Sequence, residues 1–201
     1  MFITFEGIDG CGKTTQSSLL LKYLSNLYGK DNVVITREPG GTSFNELVRK
    51  LLLGFTGERI DAVTELLFFI AMRKENFIKV IKPNLLNDKI VICDRFIDST
   101  VAYQGYGHGI QLSIIKFLNE LVVDILPDMT FIIDIDVNKS ILRAHHNGYE
   151  SLDVNFYKNV RYGFQCIAKE NVKRCHIIQC EDDDKNSIHN KVIELFHAKQ
   201  Y

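Results

Sequence analysis

Short apolar runs alternate along this chain with longer stretches of helical periodicity. Five runs read as strands, at 2–6, 33–37, 90–94, 129–136 and 176–180, and their near-continuous apolar content is that of strands buried on both faces. Between them hydrophobic residues recur at three- and four-residue spacing over 13–28, 43–53, 61–86, 111–125, 139–146, 155–169 and 186–198, the period of helices with one face turned to a core. This alternation predicts an α/β fold, a five-stranded parallel sheet with helices on both faces. Ligands of such sheets bind beyond the carboxyl ends of the strands, so the residues after Glu6, Arg37, Asp94 and Asp136 carry the functional question.

The first strand runs into Gly7-Ile8-Asp9-Gly10-Cys11-Gly12-Lys13-Thr14, followed by Thr15 and a helical pattern (Leu19, Leu20, Tyr23, Leu24, Leu27). Strand, glycine-rich loop and helix in this order form a phosphate cradle: backbone N–H groups turn inward around an anion and the helix aims its positive end at it. Lys13 is expected to reach the β- and γ-phosphates of a nucleotide, and the Thr14 hydroxyl to meet Mg²⁺.

Composition narrows the class. The chain has 201 residues, 46% hydrophobic, enough for one well-filled core, so one domain over 1–201 is the default. Lys and Arg number 24 against 25 Asp and Glu, a balance that argues against a nucleic-acid partner and leaves anion binding to individual arginines. Five cysteines without a C-x-x-C pair predict reduced thiols in a cytoplasmic protein. Cys93, Cys166, Cys175 and Cys180 are expected as core filler, and Cys11 as open to alkylation when no nucleotide is bound. No signal peptide is expected, and the longest apolar segment, 66–72, is too short to span a bilayer.

Three further segments carry chemistry. Asp94 ends an apolar strand, where a carboxylate is placed to hold Mg²⁺ through water, and Arg95 offers a planar fork to a second phosphate. If helical, the segment aligns Arg95, Ser99 and Tyr103 on one face with Gln104 alongside; the alternative is a strand-ending ion pair with Tyr103 in the core. Phe69 and Arg73 form an i, i+4 pair suited to stacking on a base and donating to its carbonyl, although core packing alone would also explain Phe69. Arg37-Glu38-Pro39-Gly40-Gly41-Thr42 makes a turn that lets backbone approach a ligand, and Arg49 follows as a second phosphate-binding guanidinium.

Together these segments resemble the bacterial thymidylate kinase family over nearly the whole length, through Arg-Glu-Pro-Gly-Gly and Asp-Arg-(aromatic)-x-x-Ser-x-x-Ala-Tyr-Gln-Gly. The resemblance implies a P-loop nucleoside monophosphate kinase fold and the reaction ATP + dTMP → ADP + dTDP with Mg²⁺. ATP is then expected on Gly7 to Thr15 and on Arg143, and the metal on Thr14 and Asp94. Phe69 would stack on thymine, Arg73 donate to O4, Gln104 pair with the polar edge, and Tyr103 crowd the 2′ carbon. Asp9 would meet the 3′-hydroxyl, while Arg49 and Arg95 hold the 5′-phosphate with Glu38 and Ser99 lining the pocket. A homodimer through the long helices is also implied.

The departure from the family pattern is the lid, 143–153, which is short and carries one arginine. Lys13 and Arg95 apart, Arg143 is the leading catalytic cation and Arg161 the second, while His145 and His146 read as a solvated helix end. Rival readings are a deoxynucleoside kinase using Glu38 as base and a non-catalytic nucleotide sensor. A GTPase switch is disfavoured, since Asn138-Lys139 and Asn190-Lys191 lack the acid of a guanine signature.

Overall fold

A computed structural model describes residues 1–54, 58, 60–143, 153–180 and 184–199. Five parallel strands, β1 (Phe2–Glu6), β2 (Val33–Arg37), β3 (Ile90–Asp94), β4 (Met129–Asp134) and β5 (Cys175–Gln179), lie in the order β2-β3-β1-β4-β5. The central three are buried along their whole length, as their uninterrupted apolar runs require, whereas β2 and β5 at the edges are buried only in part. Alternate side chains feed two cores: Ile3, Phe5 and Ile92 face one, Phe2, Val91 and Cys93 the other. Phe5 and Arg37 are both in register with Asp94, so the carboxyl ends of β1, β2 and β3 arrive together, while β4, with Ile132 opposite Glu6, runs two residues further.

Helices α1 (Lys13–Tyr28), α2 (Ser43–Gly54), α3 (Ala62–Asn76), α4 (Lys82–Leu86), α5 (Ile97–Thr100), α6 (Leu112–Val122), α7 (Val137–Arg143), α8 (Val154–Glu170) and α9 (Lys185–Ala198) connect the strands. The helix expected over 61–86 is three pieces. Asp61 caps α3 by accepting from Val63 and Thr64 N–H, and a π-helical stretch, Phe77–Ile81, links α3 to α4. Lys82 N–H donates five residues back to Phe77, a widened turn just before Pro83, which has no N–H to give.

Other boundaries moved for local reasons. The strand expected to reach 136 stops at Asp134, because Asp136 turns to cap α7, its carboxylate accepting from Asn138 and Lys139 N–H. The helix expected over 111–125 ends at Val122, since Val123 is already extended. The end of the helix expected over 139–146, with His145 and His146 and most of the lid, lies outside the described residues. Among the described residues no helix is long and apolar enough to cross a membrane. Cys166 is half-buried, a correction to its expected place in the core.

Candidate active site

The phosphate loop leaves β1 at Gly7, whose φ of 135° suits glycine and whose missing Cβ would lie 2.5 Å from the Ile133 carbonyl on β4. The loop therefore hugs the sheet and delivers Gly12 as the residue before α1. Lys13 folds back over it, donating from Nζ to the Ile8 carbonyl at 2.8 Å, with Cys11 Sγ at 3.6 Å. Cys11 is 1% exposed and burial pushes its thiol pKa up, which corrects the expectation of an alkylation site.

Thr14 Oγ1 donates to Asp94 Oδ2 at 2.5 Å, so the two expected metal-site residues meet across β1 and β3. A hydroxyl and a carboxylate are hard oxygen donors of the kind Mg²⁺ takes while keeping waters and sharing substrate phosphates. An open cleft of about 480 Å³ adjoins them, lined also by Ser17, Thr36, Arg37 and Glu46.

Arg95 departs from the helical reading. It sits at φ 68°, left-handed, its N–H bonded to the Phe5 carbonyl at 2.9 Å, and α5 begins only at Ile97. The convergence expected of a helical face is reached from this kink: Nη1 donates to Gly7 O and Ser99 Oγ, each at 3.1 Å. Nη2 reaches Asp9 Oδ1 at 2.5 Å and the Tyr103 hydroxyl at 3.1 Å. Asp9 accepts a second bond from Tyr103 at 3.0 Å and a third from Tyr157 at 3.5 Å. Burial pulls the Asp9 pKa upward, but the Arg95 and Lys13 charges with the Tyr103 bond outweigh it and hold the carboxyl down at about 2.

On α3, Phe69 is half-buried and Arg73, 3% exposed, is pinned three ways: to Glu38 Oε2 at 2.7 Å, Asn119 Oδ1 at 2.7 Å and the Phe96 carbonyl at 3.0 Å. Glu38 also accepts from Asn76 at 3.3 Å, and burial raises its pKa despite Arg73. That carboxylate is committed to holding Arg73, which removes it as a base for a hydroxyl acceptor. Gly41, at φ 88°, closes the same turn; a Cβ there would fall 2.3 Å from Asn76 Oδ1. Arg49 donates to the Pro39 carbonyl at 2.7 Å, at the mouth of this turn. Gln104 donates from Nε2 to Glu65 at 2.7 Å.

Arg143 ends α7, whose Ser140 hydroxyl donates to the Asp9 carbonyl and ties the helix to the phosphate loop. Arg161, the second candidate for the lid cation, is held by Asp134 at 2.5 and 3.0 Å. Sequence reasoning missed Glu6, Glu65, Asn119 and Tyr157. Glu6 accepts from Phe96 N–H at 2.7 Å and Ser99 Oγ at 2.5 Å, and so frames the kink at Arg95. Its position at a strand end was a usable signal, as was the i, i+4, i+8 series Glu65, Phe69, Arg73. Asn119 and Tyr157 arrive from distant helices and had none.

A parallel sheet with the central β1 feeding a phosphate loop, and an arginine-bearing turn beyond β3, define a P-loop nucleoside monophosphate kinase fold. A solved thymidylate kinase from Ehrlichia chaffeensis superimposes with a TM-score of 0.86 at 57% identity, covering 98% of each chain. The thymidylate kinase family model matches residues 5–192. Thymidylate kinases of Ehrlichia ruminantium (strain Gardel) and Anaplasma phagocytophilum (strain HZ) are 60% and 59% identical, over 98% of this chain and 100% and 93% of theirs. The chain belongs to the thymidylate kinase family, and it phosphorylates dTMP with ATP as donor.

Proposed function

We propose that one domain over 1–201, with the lid at 143–153, performs this transfer through the residues assembled above, as a Mg²⁺-dependent cytoplasmic homodimer. The observation that carries the reading is Asp9: a single carboxylate in the phosphate loop binds both Arg95 and Tyr103, so donor and acceptor subsites share one wall. Lys13 and the loop N–H groups, from Gly7 to Thr15, take the β- and γ-phosphates of ATP. Arg95 and Arg49 hold the 5′-phosphate of dTMP, with Ser99 fixing the Arg95 fork and Glu38 fixing Arg73. Phe69 and Arg73 take the thymine ring and O4, Gln104 its polar edge, and Tyr103 faces the 2′ carbon.

An acceptor phosphate oxygen is ionised at neutral pH, so it attacks the γ-phosphorus without a general base while the bond to the β–γ bridging oxygen breaks. Catalysis is then positioning and charge stabilisation by Lys13, Arg95 and Arg143. Thr14 and Asp94 would hold Mg²⁺, which when bound neutralises charge on the donor phosphates. For the dimer, α3 packs on both α2 and α6, and Leu47, Leu51, Val63, Leu67, Phe117 and Leu121 stand exposed on these three neighbours.

Lys13→Ala tests the division between subsites. Turnover should vanish in an ADP-release assay while calorimetry still shows dTMP binding; a matching loss of dTMP affinity refutes the assignment. Wild-type assays with dTMP, dUMP, thymidine and AMP should rank dTMP first and give no turnover with thymidine, which lacks the phosphate that Arg95 and Arg49 grip.

A further inference from the structure

Glu65, Phe69 and Arg73 stand on successive turns of α3 and form one stripe along it. Two of the three are assigned above to the base. The third, Glu65, accepts a hydrogen bond from Gln104 Nε2 at 2.7 Å, with Glu65 7% and Gln104 3% exposed. The bond runs from the amide nitrogen to the carboxylate oxygen, so the amide nitrogen lies toward Glu65 and the amide oxygen away from it.

We propose that Glu65 is a specificity-determining positioning residue: by engaging Nε2 of Gln104 it leaves Oε1 as the group presented to the pyrimidine edge, and so selects bases with an N3–H donor over cytosine. The inference rests on the assignment of Gln104 to that edge. Thymine and uracil present N3–H between two carbonyl oxygens, whereas cytosine presents a bare N3 beside an amino group. An amide free to turn over serves either pattern, because exchanging its oxygen and nitrogen exchanges acceptor for donor. An amide held in one sense sets its oxygen against the lone pair of cytosine N3, in a buried setting where water cannot relieve the mismatch. Arg73 works in the same direction, since a guanidinium only donates and its orientation is pinned by Glu38, Asn119 and the Phe96 carbonyl. Two buried carboxylates, Glu38 and Glu65, thus each hold one reading group in a single sense.

Glu65→Gln keeps the size and a hydrogen bond but can donate as well as accept, so Gln104 is no longer held one way round. The measurement is kcat/KM for dTMP and for dCMP at saturating ATP, in the wild type, Glu65→Gln and Gln104→Ala, with KM for ATP as the readout a general structural defect would move. Glu65→Gln is expected to shrink the preference for dTMP over dCMP by at least about 10-fold, chiefly through the KM for dTMP, with the KM for ATP unchanged. A folded Glu65→Gln with wild-type preference overturns the proposal; if Gln104→Ala then still raises the KM for dTMP, the base assignment survives and only the role of Glu65 fails. If Gln104→Ala leaves preference and KM untouched, both fall. Should Glu65→Gln not fold, the reciprocal double variant Glu65→Gln with Gln104→Glu decides: it turns an acceptor-only group to the base, so retained preference supports the proposal and lost preference overturns it.

Discussion

At the scale of single residues, Glu6 is the group whose protonation the fold alters most usefully for a test. Burial and the neighbouring Asp98 push its carboxyl from the ordinary 4.5 up to about 8, against the Ser99 bond and the Arg95 charge. The native state therefore binds the extra proton between those values, and Glu6 makes the protein less stable as pH rises from about 5 to about 8. Asp9, held at about 2, acts at the acid end, its contribution being lost as pH falls through that value. His176 and His189, lowered by burial, add an opposite slope below their ordinary 6.5, so the informative comparison is with a variant. Glu6→Gln should remove the Glu6 component, and its urea midpoint relative to the wild type should rise between pH 5 and pH 8; a constant difference would refute the assignment.

At the scale of elements, α7 and α8 flank the lid and divide its cations. Arg143 stands at the end of α7, beside the helix's link to Asp9, while Arg161 on α8 is spent on Asp134. Arg143→Ala is expected to lower turnover by about 10³- to 10⁵-fold, the range of an arginine that stabilises a transferring phosphoryl group. Arg161→Ala should do far less, and neither should change dTMP affinity by calorimetry. Strands were the most legible elements, since β1, β2 and β3 match their apolar runs to the residue and each is bounded by a turn or a charge. Legibility failed where one side chain serves two elements. Asp136 looked like the end of a strand but caps a helix, and Arg95 looked helical because its partners are spaced as on a helix, although it meets them from a left-handed kink. Of the residues proposed for the acceptor side, Phe69, Arg73, Gln104 and Glu38 were named from the sequence, whereas Glu65 was not, because a buried acid pairs with residues far away in sequence.

At the scale of the whole molecule, three neighbouring helices leave one apolar face outward while the sheet is covered on both sides. Leu51→Glu tests the proposed dimer: it is expected to give a monomer by light scattering at micromolar concentration where the wild type gives a dimer, with the fold retained, because that side chain contributes nothing to either core. The left-handed turn at Arg95 bears on the molecule in another way. A side chain with a Cβ pays about 1 kcal/mol to sit there, so Arg95→Gly should melt higher than Arg95→Ala, reversing the usual order of these two residues, and both should be inactive. Backbone and side chain therefore ask for different residues at this position: the turn would relax most with glycine, yet only arginine supplies the guanidinium that meets Asp9, Ser99 and Tyr103, so a selection on heating that had already lost the arginine would settle on glycine rather than alanine and still make no dTDP.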